Sequence, residues 1–161
     1  MKRMDLTISR LIPGPVDEVF DVWFDPAFPG GPWHDARKAL MNLAVDGMFY
    51  FGMEQKAAQE HTGVMPLTLP GELLGHFGRF VAVDRPRSVE HTWMSEYTHG
   101  IETTVSVTFE PCDGGTNLTI VHRGLPDDER GRKHETGWNF LLSRFEKEFA
   151  QAPAKSASRK P

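Results

Sequence analysis

The feature that most constrains this chain is an apolar stripe near its C-terminus. Trp138, Leu141, Leu142, Phe145 and Phe149 recur at spacings of three and four, with His134 one turn ahead of them. That period puts them on one face of a long helix. Arg132, Lys133, Glu135, Arg144 and Lys147 fall mostly elsewhere, so the opposite face meets water. Asp127 is the expected N-cap, and Asp128 and Glu129 suit the positive end of the helix, which is predicted to run to about Phe149. A helix with one broad apolar face needs a second layer to cover it.

The preceding residues supply that layer. Residues 101–110 alternate, with Ile101, Thr103, Val105, Val107 and Phe109 on one face and a wholly polar set on the other. Strand patterns also cover 5–12, 39–45, 48–53, 72–83, 89–96 and 117–123. Asp46-Gly47 and Asp113-Gly114-Gly115 read as hairpin turns. Val16, Val19, Phe20 and Trp23 give a short helix after the first strand, and the irregular, Pro/Gly-rich 26–38 reads as a loop or a broken short helix. Residues 54–71 read as a long loop. The order is one strand, a short helical region, about six more strands and one long helix. It predicts an α+β fold: a curved antiparallel sheet of six or seven strands wrapped around the C-terminal helix.

Bulk properties narrow the function. A chain of 161 residues fits one domain, placed at 1–150, with 151–161 as a disordered Pro/Ala/Ser-rich tail. A net charge of −4 argues against nucleic acid. No apolar run is long enough to span a membrane. The N-terminus lacks the apolar core of a signal peptide, and Cys112 is the single cysteine, so the expected location is cytoplasmic. His34-Asp35, Glu60-His61 and His76 lack metal-ligand spacing, and no nucleophile elbow or phosphate loop occurs, so neither metal nor cofactor is predicted.

Several phrases carry a family likeness. They are ISRLIPGPVDEVFDVWFDP at 8–26, LAVDGMFYFGM at 43–53, GRFVAVDRPRSVEHTW at 78–93, TTVSVTFEPCDGGTNLTIVHRGLPDD at 103–128 and HETGWNFLLSRFEKEF at 134–149. In this order the chain resembles the SRPBCC (START/Bet v 1-like) superfamily, in particular bacterial proteins similar to the C-terminal domain of the activator of Hsp90 ATPase. The phrase His134-x-x-Gly137-Trp138, followed by Leu142 and Phe145, is the most specific. Two departures stand out: only Trp33 replaces a common paired-Trp phrase, and the 54–71 segment is longer than usual.

The resemblance implies a helix-grip fold with a cavity between the sheet and the last helix, used in the superfamily for lipids, sterols, polyketides or aromatic compounds. The candidate cavity wall is Trp23, Phe49, Phe51, Phe77, His91, Trp93, Val105, Val107, Ile120, His122, His134, Trp138, Leu141 and Phe145. For most of these, plain core packing competes with a wall role. His91, His122 and His134 share faces with apolar residues, as satisfied core histidines or as ligand anchors. No catalytic residue is assigned. The leading expectation is a non-catalytic binder of a small hydrophobic or aromatic, flavonoid- or lipid-like molecule. Its rivals are a cyclase- or hydrolase-type enzyme working through one of these histidines with an acidic partner, and a chaperone-contacting protein. Homodimer formation is left open.

Overall fold

A computed structural model describes residues 1–67 and 71–151. Seven strands form a single curved antiparallel sheet. They are β1 (Arg3–Ile12), β2 (Lys38–Met41), β3 (Met48–Met53), β4 (Leu74–Asp84), β5 (Ser88–Trp93), β6 (Thr103–Cys112) and β7 (Gly115–Pro126), in the spatial order β1-β7-β6-β5-β4-β3-β2. The helices are α1 (Val16–Trp23), α2 (Gln55–Thr62) and α3 (Glu129–Ala150), with a 3-10 turn at Glu96–Thr98. Among the described residues no helix is long and apolar enough to cross a membrane. The predicted tail at 152–161 lies outside the described residues.

The alternation in β6 and β7 makes one face of the sheet apolar. Val105, Val107 and Phe109 pair with His122, Ile120 and Leu118, and all six are buried. Leu6 and Ile8 of β1 continue those rows opposite His122 and Ile120. α3 covers this face with its predicted stripe: Trp138, Leu141, Leu142, Phe145 and Phe149 are all buried. Its first turn sits directly on the end of β7, where a Cβ at Gly131 would lie 1.7 Å from the Pro126 carbonyl oxygen.

Three expectations are corrected. Residues 55–62 form a helix rather than part of a long loop. Its residues are good helix formers, but only Ala58 and His61 are buried, so no apolar period marks it. Gly63, at φ +78°, ends it in the left-handed conformation; 68–70 lie outside the described residues. The N-cap of α3 is Asp128, whose carboxylate accepts from the Gly131 amide at 2.9 Å, while Asp127 binds Arg132 instead. The strand expected at 39–45 stops at Met41. A six-residue loop then leads to β3, and a Cβ at Gly47 would meet the Asn42 carbonyl oxygen at 2.2 Å.

Candidate functional site

α3 packs on the sheet in two different ways. Its C-terminal half is solid. Phe145 meets Trp23 edge-on at 5.1 Å and Phe28 at 5.7 Å. Phe149 lies so close over Gly14 that a Cβ there would be 2.0 Å from its ring. Its N-terminal half leaves a cavity of about 50 Å³.

Six elements build the wall among the described residues. β3 contributes Phe51 and Met53, β4 His76, and β5 Trp93; Tyr97 comes from the 3-10 turn. α2 contributes Ala58, His61 and Thr62, and α3 contributes Arg130, His134, Gly137, Trp138 and Leu141. Gly137 is where the two helices meet: the Thr62 methyl would be 3.7 Å from a Cβ there. The rings interlock. Trp93 lies 5.2 Å from Trp138, and His76 stacks on Phe51 at 4.6 Å with its plane tilted by only 4°.

The predicted wall residues separate into three groups. Phe51, Trp93, His134, Trp138 and Leu141 line the cavity. Trp23, Phe49, His91, Val105, Val107, Ile120, His122 and Phe145 lie in the packed core. Phe77 is on the outer face of the sheet, 37% exposed, which corrects its expected inward position. Phe80 faces in, and Phe77 has the opposite parity; the irregularity in β4 comes only after Phe80. His76 therefore takes the inward place. Sequence reasoning weighed His61 and His76 only as metal ligands and passed over Ala58, Thr62, Tyr97 and Arg130. Strand parity would have found His76; nothing periodic marks Tyr97, which sits in a single 3-10 turn.

Four buried histidines are held neutral. Burial lowers His76 to about 3 and His91 to about 4, and pushes His122 well below the usual range. Burial likewise lowers His134 to about 4, against the opposing hydrogen bond to the Gly131 carbonyl. His122 belongs to a closed chain. Trp138 Nε1–H donates to its Nδ1 at 3.1 Å, its Nε2–H donates to Thr103 Oγ1 at 2.7 Å, and Thr103 donates to the Trp93 carbonyl at 2.7 Å. His91 donates through Nδ1–H to the Thr92 carbonyl at 2.8 Å.

His61 differs. Its Nε2 lies 2.7 Å from an Asp35 oxygen that also takes Arg144 at 2.5 Å. The His61 hydrogen bond, aided by Arg144, holds Asp35 far below the usual carboxylate range despite partial burial. Arg130, at the cavity wall, bonds Glu96 at 2.9 Å and lies over the Tyr97 ring. Two wall residues each carry a buried ring nitrogen, His76 Nδ1 and Trp93 Nε1, without a hydrogen-bond partner among the described residues; Trp33 Nε1, on a residue away from the wall, is a third. There, too, no group of three or more His, Cys, Asp or Glu side chains is placed to hold a metal ion.

A seven-stranded antiparallel sheet closed by one long C-terminal helix, with a cavity under the start of that helix, defines a helix-grip protein of the SRPBCC type. The family model described as Activator of Hsp90 ATPase homolog 1-like protein matches residues 13–150, and the chain belongs to that family. Solved structures repeat the fold. A protein of Chromobacterium violaceum superposes with a TM-score of 0.68 at 18% identity, over 89% of this chain and 94% of that one. The AHSA1-like protein of Aeromonas hydrophila gives 0.65 at 19% identity, over 92% and 94%. A protein of unknown function from Staphylococcus aureus gives 0.68 at 12% identity, over 94% and 96%. No curated protein matches the chain.

Proposed function

We propose that this chain binds a small, uncharged, hydrophobic or aromatic molecule in the cavity under the N-terminal half of α3. The observation that carries the reading is the composition of the wall: aromatic rings, the neutral imidazoles of His76 and His134, and two buried ring nitrogens without partners. Ligand sites combine a mostly apolar wall with a few polar groups, whereas ordinary cores leave few buried polar atoms unpaired. The volume restricts the guest. About 50 Å³ exceeds the roughly 10–15 Å³ that one water needs but falls far below the roughly 300–1,000 Å³ of drug-sized pockets. A single ring fits this scale once side chains adjust. A lipid or flavonoid requires the walls to open much further.

Native mass spectrometry of freshly purified protein tests for a co-purified small molecule. A thermal-shift screen of one-ring aromatics should raise the melting temperature, since a ligand at about 100 times its Kd adds about 2.7 kcal/mol. A flat response across the whole screen counts against binding.

One observation favours acid–base catalysis as a second reading. Among the cavity histidines, His61 is hydrogen-bonded to a carboxylate, Asp35. The expected rivals lack such a bond: His91 and His134 bond backbone carbonyls, and His122 bonds Thr103 and Trp138. A carboxylate that orients an imidazole is a recurring acid–base arrangement. Should any turnover be found, His61→Gln is expected to lower kcat by about 100-fold or more. An unchanged kcat removes this reading.

A further inference from the structure

The hydrogen-bonding capacity of the cavity narrows the ligand further, provided the binding reading holds. His134 is 93% buried, being 7% exposed, and its Nδ1 lies 3.0 Å from the Gly131 carbonyl oxygen. That oxygen only accepts, so Nδ1 carries the proton and Nε2 is left as a bare acceptor. Among the described residues nothing donates to Nε2. Trp93 presents the opposite need: its indole N–H only donates, and it is buried without a partner. The two rings flank the same histidine, His122, at 5.0 and 6.0 Å.

One atom that both donates and accepts is a hydroxyl oxygen. A carboxylate only accepts. It would also bring a charge beside neutral imidazoles, and the cation on the wall, Arg130, is already engaged by Glu96. A plain hydrocarbon ring leaves both nitrogens unsatisfied. The surrounding surfaces are the rings of Phe51, Tyr97 and Trp138, which suit an aromatic body better than an aliphatic chain.

We propose that the cavity is selective for a neutral phenol, whose ring sits among these aromatics and whose hydroxyl donates to His134 Nε2 and accepts from Trp93 Nε1–H once the indole adjusts.

The test is a tryptophan-fluorescence and calorimetric titration of the full chain at pH 7.5 with phenol, toluene and benzoate. Phenol is expected to bind about tenfold or more tightly than toluene, the worth of about one net hydrogen bond, and benzoate is expected not to saturate. In His134→Phe the phenol advantage should vanish while toluene still binds. Since that variant alters a buried site, a second measurement uses the unaltered protein: phenol, not toluene, should shift the His134 Nε2 nitrogen resonance upfield, the signature of a lone pair accepting a proton donor. Toluene binding as well as phenol, benzoate binding as well as phenol, or a silent His134 resonance overturns the phenol assignment and leaves cavity binding standing. Failure of all three probes to bind removes both.

Discussion

Three hydrogen bonds decide what His122 is. Its two nitrogens have opposite roles, accepting from Trp138 and donating to Thr103, so a single neutral tautomer satisfies both neighbours. The residue ties α3 to the sheet, and its lone pair is already in use. His122→Leu should therefore destabilise the fold by about 2–4 kcal/mol in urea denaturation at pH 7.5, because it strands a buried indole N–H and removes the donor to Thr103. A loss under about 1 kcal/mol would show that the chain of bonds is not structural. Residue-level legibility was uneven for the same reason. That His122, His134 and Trp138 belong to one buried face was readable from parity and helical period. Which nitrogen meets which neighbour depends on distances that no spacing encodes. His61 shows the limit: Asp35, its partner, is 26 positions away in the irregular segment before β2, with β2 and β3 between them.

At the scale of elements, the strong periods were legible and the weak ones were not. β6, β7, α1 and α3 follow from alternation or a three-four stripe, because each buries one long face. α2 buries only Ala58 and His61, too few to leave a pattern, yet it supplies one side of the cavity. Its contact with α3 runs past Gly137, where a Cβ would meet the Thr62 methyl at an ordinary 3.7 Å. Gly137→Ala is accordingly expected to stabilise the protein, by about 0.5–1 kcal/mol, through better helix propensity. Equilibrium denaturation measures it, and a destabilised variant would mean that α2 sits closer to α3 than the structure places it. Asp128→Ala should act in the other direction. Loss of the N-cap bond to Gly131 is expected to remove about 1 kcal/mol, while Asp127→Ala, which loses only an exposed pairing with Arg132, should change stability by less than about half of that.

Across the whole molecule, burying four neutral histidines makes stability depend on pH. His76, His91, His122 and His134 all have depressed values when folded, through burial, against 6.5 for the unfolded side chain. Below pH 6.5 the unfolded chain therefore takes up protons that the native state refuses. Stability is fully present above that pH and is lost as pH falls toward the folded values near 4 and below. Each histidine contributes a slope of up to about 1.4 kcal/mol per pH unit in that window, so the four together amount to about 5. Asp35 acts in the same direction lower down, since its folded carboxylate stays ionised below the ordinary 3.8. The melting temperature should fall steeply between pH 7 and 5, with an uptake of close to four protons on unfolding at pH 5. A flat profile would mean that these imidazoles are hydrated.

The pairing of β1 with β7 has a consequence of another kind. Arg3 to Ile12 are aligned with Pro126 to Thr116, so β1 finds its sheet neighbour, the one it has among the described residues, more than a hundred residues later. While the chain is being synthesised, the meander from β2 to β6 can assemble in order, but β1 must wait unpaired with Leu6, Ile8 and Ile12 uncovered. Such distant pairing slows folding, because the loop must close before any contact rewards it. For a nascent chain, the interval between the emergence of residue 12 and that of residue 116 is a period of exposed strand edge. A ribosome-bound chain halted before β7 should accordingly be cut by protease within β1, and one extended past α3 should be protected there.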